Sequence, residues 1–524
     1  IKPLFLDDLY LKFDKVKKNK NKLQEFHKEL STLNFFDPAC GSGNFLIIAY
    51  RELRILELEI LKILHTESVL DIESIVWCDV DQFHGIEVEE FPAQIAQVAM
   101  WLIDHQMNMM ISEYFGQYFV RLPLKKSANI VYGNSLQLNW EEVVNKDKLS
   151  FILGNPPFIG KQLQTKEQKE DMKLIFGKVK GAGVLDYVTA WYLKSANLIQ
   201  GTSIKVAFVS TNSIAQGEQV GILWKELFNN YGIKIHFAHQ TFNWSNEAKS
   251  NAAVHVVIVG FANFNIEKKK VFEYEDIKAE AHEKIVKNIN PYLVEGKDLI
   301  VEKRRKPICN VPNISFGSMP NDGGNFLLTD EEKTELIQNE PLSDKYIKPL
   351  LSAREFLNAK NRWCLWLEDL NPNDLKSMPL VKQRIENVRN LRESSTREAT
   401  KKLAEYPMLF GEVRQPKNDF ILIPRHFSEN RQYLILGYFD NNNIASDSCL
   451  SIDNITLSDF GILTSTMHMT WVKYICGRIK SDYRYSNELV YNNYPFLKDI
   501  SDKNRLSVEQ KAQAILDIRT EFKD

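Results

Sequence analysis

The chain has 524 residues, of which 44% are hydrophobic and 26% charged, with a formal net charge of −2. That length exceeds one core and predicts two or three domains. The near-neutral balance excludes a globally basic nucleic-acid binder, so a polyanion would have to meet a local basic face. Six cysteines (40, 78, 309, 364, 449 and 476) lie far apart, with no CxxC pair and no His cluster beside them. Structural zinc and disulfide frameworks are both unsupported, and a reducing cytoplasm fits. No apolar run reaches membrane-spanning length and no signal peptide is visible, so no membrane partner is expected. The chain opens with Ile1 rather than Met, which predicts a piece of something longer.

Residues 1–32 alternate apolar and basic, and the run KVKKNKNK at 15–22 reads as a solvated helix end or a phosphate contact. Leu33-Asn34-Phe35-Phe36 reads as a strand running into Asp37-Pro38-Ala39-Cys40-Gly41-Ser42-Gly43-Asn44-Phe45, and Phe45, Leu46, Ile48, Leu53, Leu56, Ile60 and Leu64 keep helical spacing. Strand, glycine turn and helix form the nucleotide-binding arrangement of doubly wound sheets, where ligands sit beyond the strands' carboxyl ends. The glycines permit close approach to the backbone. The spacing is not GxGxxG and no Gly-Lys-Ser/Thr follows, so neither a dinucleotide fingerprint nor a P-loop fits.

Short β-type runs occupy 74–80 and 83–88, and the second ends in Glu87, placed to accept hydrogen bonds from a ribose diol. A helix is expected from about Phe91 to Asn108, then a third strand in Ala128–Leu136 with Asn134 at its polar tip. The apolar run Phe151-Ile152-Leu153-Gly154 reads as a buried strand that stops at Asn155-Pro156-Pro157-Phe158. The two prolines fix φ and donate no N–H, so the turn offers an amide, a stiff carbonyl and an aromatic ring. Residues 161–183 read as a mobile loop over the site and Val184–Ile199 as a helix. Lys205–Val209, Ile233–Ala238 and Val254–Phe261 supply further strands. Alternating strands and helices over 33–261 predict a mostly parallel α/β sheet with helices on both faces.

From about 265 the character changes. A charged hairpin-like region starts at Glu267–Lys270, the basic run Lys303–Lys306 follows, and 285–500 holds irregular β runs with aromatics interleaved with Arg and Lys. Lys376–Leu403 reads as a charged helix, Phe420–Pro424 and Gln432–Phe439 as strands, and 505–520 as a C-terminal helix.

DPACGSGNF followed by NPPF resembles the amino-group DNA methyltransferases that use S-adenosylmethionine, and their order, with a large region after both, is similar to the gamma class. Residues 347–366, 420–426 and 481–496 look like the recognition domain of the single-chain, MmeI-like type IIL restriction–modification family. The resemblance implies a Rossmann-like, seven-stranded methyltransferase sheet in 1–285, an α+β target-recognition domain in 286–500, and a C-terminal helix in 501–524. It also implies adenine-N6 methylation of double-stranded DNA in a bacterial or archaeal cytoplasm. Asp37, Pro38, Ala39, Gly41, Gly43, Asn44, Phe45, Glu87 and Asn134 would bind the cofactor, Asn134 at its adenine. Asn155, Pro156, Pro157 and Phe158 would act on the target amino group of a flipped base. The family's N-terminal nuclease, helical spacer and further cofactor motif are not visible here, so no cleavage is expected of this chain and no metal is assigned. Arg354, Arg425, Lys480, Asp482 and Arg484 are the candidate DNA contacts. If 478–484 is extended, Lys480 and Asp482 share one face and could read a G·C pair in the major groove. Two other readings stay open. An RNA or protein amide methyltransferase would fail on duplex DNA, and a catalytically silent specificity module would fail to bind S-adenosylmethionine.

Overall fold

The computed structural model describes residues 1–65, 71–119, 127–244, 254–275, 279–479, 481–497 and 499–521. The chain divides into two compact units, Ile1–Glu302 and Lys303–Asp524. Residues 286–302 belong with the first: Gln240 donates to the Leu293 carbonyl and Val301 N–H to the Tyr292 hydroxyl.

The first unit is built on one sheet. Its strands are β1 (Phe35–Asp37), β2 (Phe83–Glu87), β3 (Asn129–Tyr132), β4 (Phe151–Gly154), β5 (Lys205–Thr211), β6 (Lys234–Trp244), β7 (Val254–Ala262), β8 (Lys269–Glu273) and β9 (His282–Val286). They lie in the order β3-β2-β1-β4-β5-β7-β6-β8-β9. Strands β1 to β5 are parallel, so their carboxyl ends share one edge, and β7 runs antiparallel between β5 and β6. The expected seven strands are therefore extended by the β8–β9 hairpin. Side chains alternate across the sheet. Phe35 stacks with Phe83 and Phe151 among helices α1 (Asp7–Val16), α2 (Lys20–Leu30), α3 (Asn44–Leu64) and α4 (Glu90–Phe115), while Phe36 turns the other way onto Trp140 of α5 (Trp140–Val143). Helices α6 (Lys166–Phe176), α7 (Thr189–Leu198) and α8 (Glu218–Tyr231) complete the unit.

Three expected elements fold differently, each for a local reason. Residues 74–80 form no strand: the Glu57 carboxylate takes the N–H groups of Trp77 (2.7 Å) and Cys78 (2.8 Å), and Asp79 caps a 3-10 turn at Val80–Gln82. Those donors are unavailable to a ladder. Residues 161–183 are not a bare loop, because Thr165 and Gln168 close a capping box that starts α6. Helix α7 begins at Thr189 rather than Val184, since the Asp186 carboxylate takes the Val188 N–H and turns the chain first.

The second unit carries three small sheets. Its strands are β10 (Ile314–Phe316), β11 (Leu327–Leu328), β12 (Ile347–Leu351), β13 (Trp363–Leu365), β14 (Phe420–Pro424), β15 (His426–Phe427), β16 (Gly437–Phe439), β17 (Ile444–Ala445), β18 (Cys449–Asp453), β19 (Gly477–Ile479) and β20 (Asp482–Arg484). The sheet orders are β10-β18-β14-β16, β11-β13-β12-β17 and β15-β20-β19. Every residue of β14 is buried, which makes it the centre of its sheet. Helices α9 (Asp330–Asn339), α10 (Ala353–Leu357), α11 (Pro372–Lys376), α12 (Pro379–Glu393), α13 (Glu398–Lys402), α14 (Leu457–Thr464), α15 (Thr466–Ile475) and α16 (Asp502–Glu521) surround them. The single helix read over 376–403 is three pieces, the first break falling at Pro379, which cannot continue a helix from α11. Helix α16 packs against α14, where the Gly461 position leaves room for Val508 and Ala512.

Candidate active site

Strand β1 delivers Asp37 to the edge where β2 and β4 also end. The Asp37 carboxylate is fully buried; Oδ1 accepts from the Ala39 N–H at 3.0 Å, and Oδ2 is buried without a protein partner among the described residues. Burial, joined by the charge of Glu87, pushes its pKa up to about 7. A Cβ at Gly154 would lie 2.5 Å from Asp37 Oδ1, so the apolar run of β4 has to end in glycine. The turn itself is shaped by Gly41 and Gly43, with φ of +54° and +84°. Nothing lies within 4 Å of a Cβ built on Gly41, whereas at Gly43 α4 comes close through Ala96. Pro38 is buried, and its carbonyl accepts from Trp191 Nε1 of α7 at 3.2 Å. Ala39 and Phe45 are half-buried, and exposed Asn44 opens α3, whose first N–H groups have no partner within the helix.

Glu87, at the tip of β2, clasps this turn. Its Oε2 accepts the Gly41 N–H at 2.8 Å and its Oε1 the Glu89 N–H at 3.0 Å. Asn134, expected at the cofactor's adenine, is engaged inside the protein. Its Nδ2 donates to Asp171 Oδ2 at 3.0 Å and its Oδ1 accepts the Leu136 N–H at 2.9 Å.

The Asn155–Phe158 turn follows β4 directly, beside β1 in the sheet. Asn155 is exposed and, among the described residues, its amide has no hydrogen-bond partner; Pro156 is buried, Pro157 exposed and Phe158 half-buried. The next residue is fixed: Ile159 N–H donates to Asp186 Oδ1 at 3.0 Å, and its carbonyl accepts from Tyr187 N–H and Gln164 Nε2. A free amide on a rigid base can accept or donate to a substrate without first breaking an internal bond.

The segment read as one extended run, 478–484, reverses. Strand β19 ends at Ile479, β20 starts at Asp482, and the two residues face each other across an antiparallel pair. Lys480, the other half of the expected pair with Asp482, lies outside the described residues. Arg478 is structural here, lying over the Tyr483 ring and donating to Glu429 and to the Ser481 carbonyl. Asp482 and Arg484 are exposed on β20. Arg484 pairs with His426, next to Arg425, whose guanidinium lies 4.7 Å from the Phe316 ring and donates to the Asp447 carbonyl. Burial and the charge of Arg484 lower the pKa of Arg425. Exposed Arg354 belongs to the same neighbourhood, since the Ala353 N–H bonds the hydroxyl of Ser448, whose carbonyl accepts from the Arg425 N–H. Arg414, over the same Phe316 ring at 5.8 Å, was not singled out in the sequence.

Two further groups in the first unit escaped sequence reasoning. Strand β6 stays paired with β7 out to Trp244 and carries His239 and Phe242, with Phe242 stacked on Tyr274 at 5.2 Å. The signal was there in the aromatic spacing HQTFNW. Asp171 and Lys194 hold the segment after β3, and burial brings the Lys194 ammonium down to about 8. Among the described residues no helix is long and apolar enough to cross a membrane.

Comparison with known proteins places this architecture. The MmeI DNA-methyltransferase domain family matches residues 13–273, and the MmeI target recognition domain family matches residues 295–498. The solved structure of the type IIL restriction–modification enzyme MmeI in complex with DNA is 51% identical, with a TM-score of 0.89 over 99% of this chain and 70% of that one. DNA methyltransferase A of Bacillus subtilis (strain 168) is 42% identical over 524 residues, which are 99% of this chain but 59% of that protein. This chain thus spans about 59% of the length of that curated relative. A putative type II restriction enzyme and methyltransferase of Methanocaldococcus jannaschii is 28% identical over 151 residues, 12% of its length. The chain belongs to the MmeI family of type IIL restriction–modification enzymes and carries that family's methyltransferase and target recognition domains.

Proposed function

We propose that this chain methylates the N6 amino group of an adenine turned out of duplex DNA, using S-adenosylmethionine, and that residues 303–524 read the surrounding sequence. We assign it modification and recognition within a restriction–modification enzyme. The observation that carries the reading is the exposed, unpartnered Asn155 amide on a proline-stiffened turn, one strand away from the Asp37 glycine turn.

The residues present fit the cofactor. The orphaned buried Oδ2 of Asp37 suits a cation such as the methionine ammonium, the open space over Gly41 admits a ligand against the backbone, and the α3 N-terminus favours a carboxylate. Glu87 retains acceptor capacity beyond its two backbone bonds for ribose hydroxyls. When bound, S-adenosylmethionine supplies an electrophilic sulfonium methyl.

The chain's own part is polarisation and positioning. An exocyclic amino nitrogen is a poor nucleophile because its lone pair is delocalised into the ring. Asn155 Oδ1 and the Pro156 carbonyl can each accept one of its N–H bonds, which favours a tetrahedral nitrogen and holds it in place. Phe158 offers a ring for the extruded base to stack on. Asn at the first position of the motif favours adenine over cytosine by the family resemblance.

The test is incubation with plasmid DNA and S-adenosylmethionine, followed by mapping of modified bases by sequencing. N6-methyladenine in one sequence context is expected. Methylcytosine, methylation of RNA or protein alone, or cofactor binding without transfer to any plasmid would each overturn the reading.

A further inference from the structure

The loop after β3 is fastened by side chains that no motif announces. Asp171, on α6 and only 3% exposed, accepts three hydrogen bonds: from Asn134 Nδ2 at 3.0 Å, Gln137 Nε2 at 2.8 Å and the Tyr187 hydroxyl at 2.7 Å. From α7, Lys194 Nζ donates to the carbonyls of Ser135 (2.7 Å), Leu136 (3.1 Å) and Leu138 (2.6 Å). The loop's side chains are thus tied to a carboxylate and its carbonyls to an ammonium. The Asn134 amide can take only one orientation here, because Asp171 requires a donor and Leu136 N–H requires an acceptor. Its plane is fixed by the protein at both ends.

The geometry points to Asp171 as a positioning residue of the cofactor site, which holds the β3-tip loop through Asn134 and Gln137. Asn134 is then the latch of that loop. This inference rests on the S-adenosylmethionine reading above and adds a role to one of its residues. A buried carboxylate served by three neutral donors is costly to bury, and it persists only while those donors stay aligned. The same carboxylate reaches the target side as well: Tyr187 follows Asp186, which holds Ile159 N–H just beyond Phe158.

An exchange of the two partners tests the latch. Asn134→Asp would set two carboxylates against each other across the present 3.0 Å contact. Adding Asp171→Asn would restore one donor and one acceptor with their places swapped. Cofactor affinity is measured by calorimetry, KM and kcat on plasmid DNA by methyl transfer, and Tm alongside. N134D is expected to raise the cofactor Kd and KM about tenfold or more, as facing like charges do, with kcat much less affected. The N134D/D171N double variant is expected to return most of that loss. A folded double variant that stays as weak as N134D would overturn the latch. If N134D does not fold, Tyr187→Phe serves: removing only the hydroxyl should raise the cofactor KM in a variant that still folds, with kcat much less affected, and an unchanged KM would overturn the assignment. A wild-type chain that binds no S-adenosylmethionine would overturn the functional reading itself, whereas binding without rescue overturns the latch alone.

Discussion

At the tip of β1 the backbone turn is held by carboxylates, while one strand away at the tip of β4 the leading side chain, Asn155, has no hydrogen-bond partner among the described residues. Glu87 and Asp37 clamp the glycine turn through the N–H groups of Gly41 and Ala39. Asn155 keeps its amide free. A cofactor that stays through the reaction benefits from a site already in shape, since ordering it on binding would cost affinity. A target base that must leave its stack needs acceptors still unsatisfied when it arrives. Gly154 joins the two regimes: it is the last residue before Asn155, and it has no side chain because Asp37 occupies that space.

Breaking the open tip should have the largest effect. Asn155→Ala is expected to lower single-turnover methylation about 10²–10³-fold, the usual cost of losing one preorganised hydrogen-bonding group in an active site. Rapid-quench assays on plasmid DNA check it, and near-normal turnover would remove Asn155 from the chemistry.

The closed tip makes a pH prediction. With the Asp37 pKa raised to about 7, its carboxyl is protonated in the free protein below that value. A cationic ligand binds the ionised form, so S-adenosylmethionine affinity should rise up to about tenfold per pH unit below 7 and level off above it. The sign for stability is opposite. The folded protein binds the proton more tightly than the unfolded chain, so this group's contribution falls as pH climbs from the ordinary Asp range to about 7. Calorimetry from pH 5.5 to 8.5 on the wild type and Asp37→Asn checks both, and the variant should show no such dependence.

Glu87→Ala should cost about 1–3 kcal/mol of cofactor affinity, since it removes a charged acceptor from a turn and from the ribose side. Unchanged affinity by calorimetry would show that the turn holds without it.

How much of this was legible in the sequence follows from how local each feature is. The glycine turn, Glu87 and NPPF are each written in a few consecutive residues at a strand end, so motif and strand reading found them. Asp171 was hidden in a Lys- and Gln-rich stretch, although Thr165 and Gln168 carried the capping signal that makes it a helix. The recognition unit was harder. Its Arg425 lies on the bend between β14 and β15, Arg484 ends β20 and Arg354 sits on the short helix α10, and only tertiary pairing through His426 and Ser448 relates them. The β19–β20 turn carries none of the Gly or Asn that marks a hairpin, which is why 478–484 read as one extended run. The smallest predicted effect lies there. Asp482→Ala should relax one base position by about 1–3 kcal/mol of discrimination while leaving cofactor binding alone. Sequencing of methylated sites would show it, and unrelaxed specificity would remove Asp482 from the readers.

The contrast between the two tips is tested most directly by measuring S-adenosylmethionine binding in Asn155→Ala and Asp37→Asn side by side, by calorimetry at pH 8. The account predicts that Asn155→Ala binds the cofactor like the wild type although its methyl transfer is about 10²–10³-fold slower, and that Asp37→Asn binds it weakly. Equal loss of binding in both variants, or weak binding in Asn155→Ala alone, would contradict it.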